Sequence, residues 1–283
     1  MIHTKDFLRP SPSYPTYPPY HVGEYLEDYF YKRFVEESPS IEREYIAISW
    51  TTLYCQNQMD GIQEFLDSLD PSKKYFTVLQ HDDAPKHRLP PNTLCFSAGG
   101  NVKGNNIIPI PLVCSSLPKT EKKEKKCLVS FVGSNTHPVR AAAVNALVAK
   151  PDTRVYMKNW SPAVNKSDLD MFIDWTSESK FALAPRGYGL NSFRLYEIFQ
   201  LNAVPVVVSD DFYLPWSDRL YWSKFSVLIN ESDIPDTHKI LSEITENKYE
   251  KMLNLGQKLY PNYFTLEGVY KNIIRRLKWK IHA

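Results

Sequence analysis

No window of this 283-residue sequence offers about 18 uncharged apolar residues, which excludes a transmembrane helix. Its opening stretch, MIHTKDFLRPSPSYPTYPPY, has no apolar h-region, which excludes an ordinary secretion signal. Neither sign of charge dominates. The 34 Lys and Arg against 32 Asp and Glu leave a net charge of +2, too balanced for a protein whose main partner is a nucleic-acid backbone. The four cysteines are Cys55, Cys95, Cys114 and Cys127. None forms a CxxC pair and no His cluster lies near them, which argues against zinc. Without an export signal, the expectation is reduced thiols in a cytoplasmic protein. There is no internal repeat. What is present is an ordinary globular mixture, 43% apolar and 23% charged, of a length for one large domain or two of usual size. Aromatics are abundant at 13%, with 18 Tyr. Much of that fills a core, and Tyr and Trp also make platforms for sugar rings and bases.

The first 20 residues are rich in Pro and Tyr and predict an extended arm. The spacing of Tyr25, Leu26, Tyr29, Phe30 and Phe34 predicts a helix from Gly23 to Glu37. Tyr45–Trp50 and Lys74–Gln80 are apolar runs that predict buried strands, the second ending in His81-Asp82-Asp83. Between them Gly61 to Leu69 predicts a short helix, and Ile107-Ile108 begins a third extended segment. The charged run Lys119–Lys126 carries no apolar residue and marks a domain boundary or a solvated loop. Beyond it strands and helices alternate: strands at Leu128–Val132, Arg154–Met157, Phe181–Leu183, Val204–Val208 and Phe225–Ile229, with helices between and three more at the end. Such alternation means a parallel sheet covered on both faces.

In an open parallel sheet, ligands bind beyond the carboxyl ends of the strands. Three turns there carry chemistry. In Val132-Gly133-Ser134-Asn135-Thr136-His137-Pro138, a glycine lets backbone approach a ligand and the next helix offers free N–H groups. Arg140 in its first turn can fork onto a phosphate, or be a solvated helix residue. In Ala184-Pro185-Arg186-Gly187-Tyr188-Gly189-Leu190, two glycines make a mobile loop, and Asn191 or Ser192 can cap the helix that follows. Arg194 and Glu197 share one face of that helix. They are either a surface ion pair, or a diphosphate ligand beside a carboxylate that accepts from a ribose diol. Pattern alone leaves both readings open. The third turn, Ser209-Asp210-Asp211, is a metal or sugar ligand or, more simply, an Asx turn.

The stretch from Phe181 to Val227 resembles the exostosin family, glycosyltransferase family 47. The elements F-x-L-x-P-x-G, S-x-R-L-x-E, x-P-V-V, L-P-W and W-x-x-F-S-V follow one another in family order over about 47 residues. Ser130-Phe-Val-Gly133 with Arg140 is similar to the upstream F-x-G…R element. Before residue 126 the likeness is looser: Tyr17–Tyr20, Gly23–Glu27 and Phe76–Asp83 look like soluble bacterial and viral members. The resemblance implies a GT-B fold, α/β, with two Rossmann-like domains facing a cleft. The expected organisation is an acceptor-side domain over 1–125, a nucleotide-sugar domain over 126–265, and a helix in 266–283 packing back on the first domain. It implies an inverting glycosyltransferase that uses a UDP-sugar, xylose as first guess, and a glycan acceptor. Arg140 and Arg194 would meet the diphosphate, with Gly133, Ser134 and Ser192 around them. Glu197 would meet the ribose, and Pro185, Arg186, Gly187 and Tyr188 would lie beside the uridine. The chain lacks the signal anchor of animal and plant members and a second catalytic domain, so the expectation is a cytoplasmic protein and not a bifunctional polymerase.

Inversion needs one base for the acceptor hydroxyl and positive groups for the departing diphosphate. Two arginines and a helix dipole can replace a metal, so no cofactor and no metal are expected. The literal D-x-D motif, Asp168-Leu169-Asp170, opens a predicted helix, where acidic residues belong anyway. The base should come from across the cleft. Asp82 is preferred among His81, Asp82 and Asp83, with His21 and Glu24 as alternatives. A turn or capping role stays open for each. Two other readings remain: an idle nucleotide-sugar or glycan-binding protein on the same fold, and a nucleic-acid-modifying enzyme, against which the balanced charge weighs.

Overall fold

A computed structural model of the chain describes residues 1–11, 24–113, 116–117, 121–161 and 164–278. They form two parallel five-stranded sheets. The first takes β1 (Ile2–His3), β2 (Glu44–Ile46), β3 (Tyr75–Leu79), β4 (Thr93–Ser97) and β5 (Ile107–Pro109) in sequential order. Side chains alternate across these strands as a pleat requires. Tyr45, Phe76, Val78 and Phe96 pack toward α1 (Leu26–Glu37). Ile46, Tyr75, Leu79 and Cys95 pack toward α2 (Trp50–Cys55) and α3 (Ile62–Asp67).

The second sheet has β6 (Cys127–Asn135), β7 (Thr153–Asn159), β8 (Ser179–Pro185), β9 (Val204–Val208) and β10 (Val227–Ile229), in the order β10-β9-β8-β6-β7. The chain leaves β6 outward to β7, then returns past it to β8. That reversal opens a crevice between the carboxyl ends of β6 and β8, where a doubly wound sheet binds its ligand. Helices α4 (Pro138–Leu147), α7 (Thr237–Ser242) and α8 (Glu246–Tyr263) cover one face through Val129, Phe131, Leu183, Val206 and Val208. Helices α5 (Lys166–Ser177) and α6 (Phe193–Gln200) cover the other. Helix α9 (Leu266–Lys278) crosses back to α1: Tyr270 lies 5.2 Å from Phe30, and the Tyr29 hydroxyl donates to Glu267 at 2.7 Å. One apolar cluster joins Phe30, Phe76 and Phe96 to Leu195, Phe199, Trp216 and Trp222, so both sheets share a core.

Several expectations need correction. The opening residues are not all an extended arm, because Ile2 and His3 add a parallel strand beside Tyr45 and Ile46. His21 and the Tyr17–Tyr20 motif lie outside the described residues. The run Tyr45–Trp50 is a strand only to Ile46, and Trp50 already opens α2. Gly133 and Ser134 do not turn; β6 continues through them, paired with Met157 and Lys158 of β7. Within the charged run Lys126 pairs with Glu178, and two further lysines have partners. Lys125 donates to the carbonyls of Ser177 and Asn202 at 2.8 and 2.6 Å, closing the ends of α5 and α6, and Lys123 pairs with Asp174.

Candidate active site

The crevice is lined from both sides. On its β6 side, Gly133 stands where a Cβ would come within 2.8 Å of the Arg194 guanidinium, so only hydrogen fits. Arg194, in the first turn of α6, passes its guanidinium between the rings of Phe131 and Phe172, at 5.0 and 4.7 Å. Its Nε has no hydrogen-bond partner among the described residues, and burial draws the group down to about 10 despite the attraction of Glu197. Arg194 and Glu197 form no salt bridge, which removes the surface-pair reading; Glu197 is pushed upward by burial against the pull of Arg194. A charged fork with an unused N–H, held rigidly between two rings at a helix N-terminus, is made to receive an anion.

Arg140 is buried and tied to backbone. Its Nε donates to the Arg186 carbonyl and its Nη1 to the Ser134 carbonyl, each at 3.1 Å, so it staples the loop after β8 to the end of β6. Gly187 makes room for it, since a Cβ there would meet Arg140 Nη2 and Thr136 Oγ1 at 3.0 Å. The Thr136 hydroxyl is buried without a partner among the described residues, a feature that a lone hydroxyl does not announce in sequence. Pro185 ends β8, and Arg186 reaches 3.8 Å from Asp210. Ser192 occupies the N-cap position of α6 but its side chain makes no capping bond. Asn191 beside it, which sequence assigned at most a cap, bridges the domains instead. Its Nδ2 donates to the carbonyls of Ala98 and Ile110, at 2.8 and 3.1 Å, and its Oδ1 accepts from Tyr196.

Across the cleft, β3 delivers His81, Asp82 and Asp83. Asp82 packs so tightly on the loop after β8 that a Cβ on Gly189 would fall 2.2 Å from its Oδ1. Its carboxylate has no hydrogen-bond donor among the described residues. Burial, and then the charge of Asp83, push it up to about 7. Asp83 is different. Burial raises it, but donors from Asn101 and Tyr188 and the charges of His81 and Lys86 outweigh that and hold it below its ordinary value. His81 accepts from the Asp83 amide through Nδ1 at 3.1 Å, and burial, then Lys86, hold its ring below the usual imidazole range against the opposing charge of Asp83. A carboxylate near neutral pKa, unpaired and pressed on the donor-side loop, is suited to take a proton at neutral pH.

The acidic motifs are engaged elsewhere. Asp168 pairs with Lys158 and Asp170 with Lys166, both at the start of α5. Asp211 pairs with Lys103 of the other domain, and its amide and carbonyl bond the Ser209 hydroxyl. Glu24 pairs with Lys32 at the rim. Among the described residues no three His, Cys, Asp or Glu side chains gather as a metal site would.

Comparison with known families decides the kinship. The model of the exostosin GT47 domain matches residues 30–244. The chain belongs to the exostosin GT47 family. An exostosin-1 homolog of Caenorhabditis elegans is 23% identical over 272 residues, covering 80% of this chain and 70% of its own. A protein of Arabidopsis thaliana named a probable glycosyltransferase is 35% identical over 111 residues, 35% of this chain and 22% of its own. The chain thus spans about a quarter or less of the plant relatives it matches. Among solved structures, an alpha1,3-fucosyltransferase covers 90% of this chain and 93% of its own at 14% identity, with a TM-score of 0.42. The two parallel α/β sheets agree with the GT-B fold that the resemblance implies. Much of the family stretch is packing: Leu214, Trp216, Trp222 and Phe225 belong to the shared core, and the Trp222 indole donates to the Pro215 carbonyl at 2.8 Å.

Proposed function

We propose that this chain is an inverting glycosyltransferase that moves a sugar from a UDP-sugar to a glycan hydroxyl, with xylose the first donor to test. Two observations carry the reading: Arg194 is caged beside Gly133 at the switch-point crevice, and Asp82, without a donor among the described residues and pushed up to about 7, packs on the loop that follows β8. In this reading Asp82 takes the acceptor O–H proton. The freed oxygen forms a bond to the anomeric carbon from the face opposite the diphosphate. The carbon–oxygen bond to UDP breaks, and its electron pair leaves on the β-phosphate. Arg194 and the N-terminus of α6 receive that charge, so the chemistry is metal-independent. Arg140 keeps both loops in register. Glu197 accepts from the ribose.

The test is UDP release from UDP-xylose, UDP-glucuronic acid, UDP-N-acetylglucosamine, UDP-galactose and UDP-arabinose, with and without glycan acceptors. The anomeric configuration of the product is then read by NMR. Tight UDP binding without release from any donor would favour a nucleotide-sugar-binding protein. A product of retained configuration would overturn single displacement.

A further inference from the structure

Among the contacts that bridge the cleft, one joins the loop after β8 to the carboxylate beside Asp82. Tyr188 stands at the tip of the loop after β8 with 62% of its surface exposed, an unusual place for a large ring. Its hydroxyl crosses to the other domain and donates to Asp83 Oδ2 at 3.0 Å. Asp83 is itself braced, since its Oδ1 accepts from Asn101 Nδ2 at 2.9 Å. The next residue in the loop is Gly189, the one that lies on Asp82. A neighbouring ion pair, Lys103 with Asp211, closes the same edge.

We propose that Asp83 is a positioning residue: by holding Tyr188 across the cleft, it seats the 185–190 loop on Asp82, so that donor loop and acceptor base meet only while this contact is made. This rests on the glycosyltransferase reading above. The two adjacent carboxylates then divide their work. Asp83 carries its charge in a web of donors and faces His81 and Lys86 from its own loop and Tyr188 from the opposite one. Asp82 faces Asp83, and takes its desolvation from the glycine-lined loop that Tyr188 holds down. Loss of the seat rehydrates Asp82; loss of the Asp83 charge relieves it directly.

Two variants separate these effects. Tyr188→Phe keeps the Asp83 charge and removes the bridging bond. Its expected results are a Kd for UDP raised roughly 3- to 10-fold and faster hydrogen exchange of the amides at 186–190. Asp83→Asn keeps groups able to bond both Tyr188 and Asn101 but removes the charge. Its UDP affinity should stay within about two-fold, while the acid limb of kcat/KM, measured with whichever UDP-sugar of the panel is hydrolysed fastest, moves down by about one-half to one pH unit. With the seat kept, as unchanged UDP affinity reports, only loss of the Asp83 charge can move that limb. Unchanged UDP affinity and unchanged exchange in Tyr188→Phe would overturn the proposal. So would an Asp83→Asn variant that loosens UDP as much as Tyr188→Phe without moving the limb. The exchange measurement needs no turnover. A chain that hydrolyses no donor at all refutes the transferase reading, while the exchange result still decides the seat.

Discussion

Gly189 offers a sharp test of where the base lies. Replacing it with Ala adds one methyl group that would sit 2.2 Å from Asp82 Oδ1, 2.7 Å from its Cγ and 3.0 Å from the Gly99 carbonyl. Its backbone φ is not in the left-handed region, so the substitution strains contacts and not dihedrals. Gly99 is main chain and cannot retreat cheaply, so the Asp82 carboxylate must give way. Ordinary contact requires it to move by about 1 Å, a displacement that in an active site costs roughly 100-fold in rate. Overpacking of this kind costs about 1–3 kcal/mol of stability, so the variant should still fold. Arg194, Gly133 and the crevice between β6 and β8 are untouched. The expected outcome is therefore kcat for UDP-sugar turnover lowered about 100-fold with UDP affinity by calorimetry changed by less than about three-fold. The Asp82 assignment is falsified if Gly189→Ala retains kcat within about three-fold of the parent while its melt confirms a folded protein.

Four further outcomes follow from the same geometry. Arg194→Ala should weaken UDP and slow turnover together by about 10- to 150-fold, the worth of a charged hydrogen bond of roughly 1.5–3 kcal/mol; retention of both would remove Arg194 from the donor site. Because burial holds Asp82 at about 7, kcat/KM should rise with pH and level off above about 7. Protonation below that value removes the base, so activity falls with acid. Asp82→Asn should flatten this limb and lower turnover by ~10²–10⁴, and an unaltered limb would point to another group. Glu197→Gln should weaken UDP more than pyrophosphate, and equal losses for the two ligands would contradict a ribose contact. Turnover should persist in EDTA; if chelation stops it and Mn²⁺ restores it, the charge supplied by Arg194 is not sufficient.

The second domain is legible in sequence because its strands are buried on both faces. Phe181–Leu183 and Val204–Val208 therefore read as unbroken apolar runs between helical ones. From there the strand-end rule leads to the segments that hold Gly133, Arg186 and Arg194. The first domain hides more. Strand β1 is two residues long and gains its pairing only from Tyr45 and Ile46, and β4, Thr93–Ser97, is too mixed to announce itself. The roles of Asn191, Phe172 and Lys125 depend on partners tens of residues away, such as the Ala98 carbonyl 93 positions earlier, which no local pattern encodes. The spacing of Arg194 and Glu197 leaves an ion pair and a pair of donor ligands equally open. The ring cage around Arg194 holds its guanidinium in the crevice, and that cage is built by residues from β6 and α5.

Helix α9 gives the order of synthesis a consequence for this fold. Phe30 of α1 packs on Tyr45 and Phe76 of the first sheet, which follow it closely in the chain, yet Tyr270, which also lies against it, leaves the ribosome much later. Phe30 and Tyr270 are 240 positions apart in the chain (30 to 270), which at about 5–20 residues per second is an interval of roughly 10–50 seconds. Through it the first sheet has its strands but not its lid. Until α9 arrives, the first domain lacks the cover that Tyr270 gives Phe30, so its packing is completed only after the second sheet has been made.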